Sequence, residues 1–182
     1  MKIKFLSLAA TTMSLACLPV FGDTLNFSGD TTGLPTFNRP TEPGDDLSLF
    51  GTSVHYFAET FTVSLIGNYN FSAVANDPSN FDTFIQLYST FNPSQPLGNY
   101  IAGNDDNVNG PEFGSALNGI SLLAGNTYTF VIDGFGNSDF GAFTANISGP
   151  GVISPVPEPS ALALATGGFL GLWLLRRRLA QS

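Results

Sequence analysis

Cysteine, histidine and basic residues are all scarce in this 182-residue chain, which has one Cys, one His and six Lys or Arg. The cysteine, Cys17, lies in an apolar N-terminal run, so the remainder has no disulfide and no thiol nucleophile. The histidine, His55, sits in the strand-like Val54-His55-Tyr56-Phe57 and reads as a strand-face residue. With no second His or Cys near it, a zinc site cannot be assembled, and a serine nucleophile lacks its usual base in any recognisable context. Five of the six basic residues, Lys2, Lys4, Arg176, Arg177 and Arg178, occupy the chain ends. Between Asp23 and Pro155 only Arg39 is basic, against thirteen acids: Asp23, Asp30, Glu42, Asp45, Asp46, Glu59, Asp77, Asp82, Asp105, Asp106, Glu112, Asp133 and Asp139. That stretch therefore carries about −12, which the whole-chain value of −8 conceals. Such a surface repels nucleic-acid phosphates, so no nucleic-acid partner is expected. It favours solubility and divalent cations. The same stretch also lacks any capped segment of helical period.

Aromatic residues, by contrast, are abundant: 13% of the chain, 17 of them Phe, against 11% charged. This is enough apolar surface for one two-layer core in the roughly 130 residues left once the ends are set aside. The apolar residues recur with period two, as strands require. Phe61, Val63 and Leu65 alternate with Thr60, Thr62 and Ser64. Tyr69, Phe71 and Ala73 follow after a turn at Gly67-Asn68. Thr83, Ile85 and Leu87 share one face of Phe81–Tyr88. Tyr100–Ala102 makes a short strand, and Ala116–Leu123 carries Leu117, Ile120 and Leu122. Tyr128, Phe130 and Ile132 alternate with Thr129 and Val131, and Phe143, Ala145 and Ile147 close the series. Short strands with turn signals at this spacing predict an all-β fold, an antiparallel β-sandwich of jelly-roll type. Core packing is the expected role of the Phe residues; a carbohydrate-stacking platform is the alternative. Ser28–Gly51, rich in Thr, Gly, Pro and Asp, predicts a long loop, preceded by at most one short strand near Thr24–Phe27.

The ends read as targeting segments. Lys2 and Lys4, the apolar run Phe5–Leu18 and the small-residue pattern Val20-Phe21-Gly22 make residues 1–22 a secretory signal helix, cut before Asp23 by signal peptidase after passage through the translocon. A retained membrane anchor is the alternative. Cys17 fits a lipid-acceptor site poorly, because Ser14-Leu15-Ala16 lacks the leucine such a site opens with. The acidic domain is expected over residues 23–152, with 23–53 largely loop and Gly149–Val156 a Gly/Pro linker. Residues 153–182 form a tail: the segment 156–160, an apolar run over 161–175, and the basic stop Arg176, Arg177 and Arg178. Fifteen helical residues span about 22 Å, short for a hydrocarbon core of about 30 Å, so snorkelling arginines must help a short transmembrane helix across. The positive-inside rule puts the arginines in the cytoplasm and the domain outside.

Of the loops, Gly103-Asn104-Asp105-Asp106-Asn107-Val108-Asn109-Gly110 concentrates oxygen donors of the kind calcium takes. Asp105, Asp106, Asn104 and Asn107 are its candidate ligands. Asp77, Asp82, Asp133 and Asp139 are candidates to converge on it from other loops. The same residues suit Asx turns, in which the side chain bonds its own backbone, and both readings stay open. Two-carboxylate glycosidase chemistry has acids enough but no recognisable context. The Gly-rich turns lack the lysine and the following helix of a phosphate loop.

Val156-Pro157-Glu158-Pro159-Ser160, an apolar run and three terminal arginines together resemble the PEP-CTERM sorting signal. The resemblance covers about the last 27 residues. It implies processing by an exosortase-type membrane protease near Val156, Pro157, Glu158 and Pro159, with release or attachment at the surface of a Gram-negative, exopolysaccharide-making cell. Less specifically, Asp82-Thr83-Phe84-Ile85-Gln86-Leu87-Tyr88, Gly103-Asn104-Asp105-Asp106, Leu123–Val131 and Gly141-Ala142-Phe143 resemble bacterial pre-peptidase C-terminal (PPC) domains. That resemblance implies a non-catalytic accessory β-sandwich, in some members with calcium. The expectation is an exported, non-catalytic surface or matrix protein, tethered at first to the inner membrane and binding exopolysaccharide or other surface components. A secreted hydrolase using carboxylates is the alternative.

Overall fold

The computed structural model describes residues 22–157, except 109 and 112. The signal helix, Glu158, Pro159, the apolar run and Arg176, Arg177 and Arg178 lie outside the described residues. Within them every regular element is a strand, and no helix is long and apolar enough to cross a membrane.

Eleven strands follow in chain order: β1 (Gly22–Asp30), β2 (Thr36–Phe37), β3 (Val54–His55), β4 (Phe57–Val63), β5 (Gly67–Ala75), β6 (Thr83–Tyr88), β7 (Tyr100–Asn104), β8 (Ser115–Leu122), β9 (Thr127–Gly134), β10 (Ala142–Pro150) and β11 (Ile153–Pro155). One sheet has the order β1-β10-β5-β8 and the other β11-β4-β9-β6-β7, with every named pair antiparallel. The pairs β1/β10, β4/β9, β5/β8 and β6/β7 are nested, like a single long hairpin wound around a core. This is the jelly roll, with β11 added at one edge.

Between the sheets pack Phe61, Tyr69, Phe71, Phe130, Phe143 and Ile147, all at most 1% exposed. The alternation that predicted the strands is the alternation that fills this core. Leu117 and Ile120 break parity, and a β-bulge explains it: β5 runs from Tyr69 to Phe71 while β8 runs from Ile120 back to Leu117. Gly119 takes the extra position at φ 72°, where a side chain would be strained, and its N–H bonds Asn70 Oδ1 at 2.9 Å.

Four local expectations need correction. The first strand is nine residues long, because Thr24 to Asp30 find a full-length partner in β10. Leu65 leaves the β4 face and is 40% exposed, because β4 ends at Val63 and the chain turns. Gly149–Val156 is no linker: β10 runs to Pro150, Gly151 turns the chain at φ 76°, and β11 pairs with β4. The loop over Ser28–Gly51 is a cover. It lays Phe37 and Arg39 over the outer face of the five-stranded sheet, burying a second cluster of Phe37, Val54, Tyr88 and Val131. For this reason β6 is buried on both faces, with Thr83, Ile85 and Leu87 inward and Phe84, Gln86 and Tyr88 beneath the cover.

The register fixes two ends of the sandwich. Gly22 lies opposite Pro150, and Asp30 opposite Ala142. Chain entry and the start of β11 are therefore at one end. The starts of β6, β8 and β10 and the ends of β7 and β9 gather at the other.

Candidate functional site

At that second end the loop after β7 and the residue before β6 enclose an open cleft of about 480 Å³, lined by Asp82, Asp105, Asp106, Asn107, Val108 and Phe113 among others. Asp82 is brought here because its carbonyl accepts the Phe135 N–H at 3.0 Å, pinning the approach to β6 against the end of β9. Its carboxyl is pushed up to about 6, first by burial and then by Asp139, Asp105 and Asp106, with Arg39 pulling the other way. Glu42 is raised as well, by burial and then by Asp105 and Asp106. Like charges thus crowd this end of the molecule, and they disfavour ionisation of Asp82 and Glu42.

The sequence-predicted ligands divide. Asp105 and Asp106 do share the cleft with Asp82, as does Asn107. Asn104 is committed to the turn itself: Nδ2 donates to the carbonyls of Asp106 and Ala116, both at 2.9 Å, and Oδ1 accepts the Asp106 N–H at 3.0 Å. Asp77 forms a separate exposed turn with Ser79 and Asn80. Asp139 holds its own loop through the Gly136 N–H at 2.7 Å. Among the described residues, no group of three or more His, Cys, Asp or Glu converges well enough to hold a metal ion. Asp82, Asp105 and Asp106 give the cleft a negative field.

Phe113 forms an aromatic lip, 45% exposed. It has a φ of 61°, a left-handed conformation that costs a bulky residue roughly 1–3 kcal/mol. Its carbonyl is held by the Thr83 N–H at 3.3 Å and the Thr83 hydroxyl at 3.1 Å. Sequence reasoning missed this residue, since nothing in a Pro-Glu-Phe-Gly string marks a left-handed aromatic.

Beneath the cover lies a polar layer that sequence reasoning did not resolve. Arg39 is 3% exposed, with its guanidinium 3.9 Å from the centre of the Phe84 ring. Nε and Nη2 donate to the Phe135 carbonyl at 3.1 and 2.7 Å, and Nη1 to that of Pro40 at 3.0 Å. Asp133 is wholly buried, accepts from Gln86 Nε2 at 2.9 Å on one oxygen, and has no hydrogen-bond partner on the other. Burial pushes its carboxyl well up, partly opposed by Arg39. His55 behaves as expected of a strand residue: Nδ1 lies 2.5 Å from the Leu34 carbonyl and the ring stands edge-on to Phe140.

The tail leaves from a second cleft, of about 440 Å³, bounded by Leu34, Pro35, Tyr56–Thr60 and Pro155–Pro157. Of the four motif residues expected from sequence, Val156 and Pro157 are described. Val156 donates its N–H to the Thr60 carbonyl at 2.7 Å, one step beyond β11. The sorting segment therefore begins on the sheet rather than beyond a linker.

No curated protein matches the chain in sequence. Among solved structures, the K1 cleaved adhesin domain of Lys-gingipain from Porphyromonas gingivalis W83 is similar over 77% of this chain and 94% of its own, at 14% identity and a TM-score of 0.32. The K3 cleaved adhesin domain of the same protein is similar over 71% of this chain and 91% of its own, at 17% identity and a TM-score of 0.32. Scores this low bear on neither fold nor function. A sandwich is also what the PPC resemblance implies, but many families share that architecture and it does not single one out. The tail is different: the PEP-CTERM protein-sorting motif matches residues 155–178, so the chain carries the signal of an exported, membrane-anchored precursor that exosortase, a membrane protease, processes for surface display.

Proposed function

We propose that this is a non-catalytic surface or matrix protein that binds exopolysaccharide through the acidic cleft once exosortase has processed its tail. The observation that carries the reading is the sorting motif, which begins at Pro155, the last residue of β11, and so joins one folded module directly to one sorting signal. The cleft supports the saccharide part. Sugars present C–H faces to an aromatic ring and hydroxyl donors to carboxylates, and Phe113 stands beside Asp82, Asp105 and Asp106. The test is co-sedimentation of the purified protein with exopolysaccharide from an exosortase-bearing host. Phe113→Ala and Asp82→Asn should each lower the bound fraction several-fold; unchanged binding by both variants would remove the cleft from the account.

The hydrolase alternative has one observation in its favour. A carboxyl raised to about 6 beside others is the pattern that general acids show. Glycan incubated with wild type and Asp82→Asn separates the two readings. Cleavage lost in the variant would make the protein an enzyme, and the absence of cleavage is expected here.

A further inference from the structure

We propose that the apolar end of the sandwich, formed by Leu65, Ile66, Leu123 and Val152, rests on the lipid surface of the membrane that anchors the precursor, so that the acidic cleft faces away from it. The proposal takes the anchor from the sorting signal and goes beyond the cleft reading by assigning an interaction surface at the opposite end. Three features carry it.

The first is the patch itself. The turns from β4 to β5, β8 to β9 and β10 to β11 meet at the end where Gly22 lies opposite Pro150. The Ser64 N–H donates to the Val152 carbonyl at 3.0 Å, and the Val152 N–H donates to Ser64 Oγ at 2.7 Å. Leu65 lies against Gly151, where an added Cβ would stand 2.8 Å from its Cγ. Gly67 pairs with Leu122, so Ile66 and Leu123 each stand one step beyond that pair. With the turns held in this way, Ile66 is 65% exposed, Val152 57% and Leu123 54%. Single exposed apolar side chains are ordinary, but a group of them gathered at one end marks a contact surface.

The second is charge. Residues 62–68, 121–127 and 148–153 include no Asp, Glu, Lys or Arg. Asp23, which also lies at this end, is turned to the N–H groups of Ile153 and Thr24. Glu42, Asp82, Asp105 and Asp106 crowd the other end. Anionic headgroups repel that end, and carboxylates lose hydration on entering an interface. A lipid surface therefore meets the molecule at its neutral, apolar end.

The third is the length of the tether. Ala161, where the apolar run begins in the sequence, is four residues beyond Pro157, so at most about 14 Å of chain separates them. Val152 and Val156 are four positions apart along the edge of β4, roughly 13 Å. A domain leaning on its β11 edge thus brings the patch to the headgroups. So short a tether supplies an effective concentration on the order of mM, at which a weak affinity is enough.

The test uses the full chain in phosphatidylcholine nanodiscs that carry a lipid spin-labelled at the headgroup, read by NMR. The amides of Ile66, Leu123 and Val152 should broaden at least as much as that of Val156, beside the tether, and several-fold more than that of Asp105. Ile66→Ser with Val152→Ser should bring the broadening at Leu123 down to that at Asp105. A chain that floats with the discs but shows the patch broadened no more than Asp105 would overturn the proposal alone. A chain that does not float would overturn the anchor with it. Broadening at the patch that needs no spin label and grows with protein concentration would make a second copy the occupant, and would also overturn it.

Discussion

Asp23 and Ile153 stand 130 residues apart in sequence, yet Oδ2 of the first accepts the backbone N–H of the second at 2.9 Å. The bond ties the first strand to the strand from which the sorting tail departs. It also lowers the Asp23 carboxyl below its ordinary value, with the Thr24 N–H contributing.

From that bond follows a first prediction. Asp23→Ala should speed amide exchange at Ile153 and leave the core of β9 protected. In wild type the protection at Ile153 should hold above the ordinary carboxylate value of 3.8 and be lost as pH falls through the lower folded value. Exchange at Ile153 that ignores both the substitution and the pH would contradict it.

Among the described residues Arg39 is the only Lys or Arg, and its fork meets the Phe135 carbonyl with two donors. Arg39→Met keeps the stem but takes both guanidinium donors from that carbonyl and removes the positive charge that opposes the rise of the Asp133 carboxyl. Urea denaturation should show a loss of about 3 kcal/mol, the scale of breaking a buried charged contact. Arg39→Lys should recover only part of it, since an ammonium cannot present the fork. A loss below about 0.5 kcal/mol for Arg39→Met would show the cover held by its apolar residues alone.

Asp82 makes stability depend on pH in an unusual direction. Its folded value of about 6 lies above the ordinary 3.8, so the folded state holds more protons in that window. Stability must then fall as pH rises from about 4 to about 6. Asp133, also raised, acts in the same sense. Because Asp82 faces an open cleft, solvent screening reduces the effect of its shift to about 1 kcal/mol. Asp82→Asn should therefore melt higher than wild type at pH 7 and flatten the slope between pH 4 and 6. A variant that melts lower at pH 7 would refute the repulsion.

The same field predicts how cations act. With Asn104 turned into its own loop and no three of His, Cys, Asp or Glu converging among the described residues, calcium and magnesium should raise the melting temperature alike. Asp105→Asn with Asp106→Asn should reduce both responses together. A shift specific to calcium and abolished by that double substitution would instead establish a calcium site in the loop.

How far the sequence could be read varies along the chain. Tyr128, Phe130 and Ile132 announce β9 because one face packs on the core and period two follows directly. Val131 and Asp133 lie on the other face, and only the cover makes that face interior. The cover comes from residues a hundred positions earlier, and nothing local in a Thr- and Pro-rich run shows what it will lie upon. A signal existed in Arg39, since one base among thirteen acids has few exposed reasons to be there. For Gly149–Val156, glycine and proline content suggested a linker, but Pro155 and Pro157 are placed where an edge strand tolerates them. The cleft was half legible: Asp105 and Asp106 by composition, Phe113 not at all, because its place depends on a left-handed backbone and on the Thr83 hydroxyl that holds its carbonyl.

The most direct test of the central claim is the mass of the mature protein recovered from the surface of an exosortase-bearing host. The account predicts a chain that starts at Asp23 and ends within or just after Val156-Pro157-Glu158-Pro159, allowing for any group attached there. It also predicts the intact tail in the same host lacking exosortase. A surface protein that keeps Arg176, Arg177 and Arg178 in both hosts would contradict it.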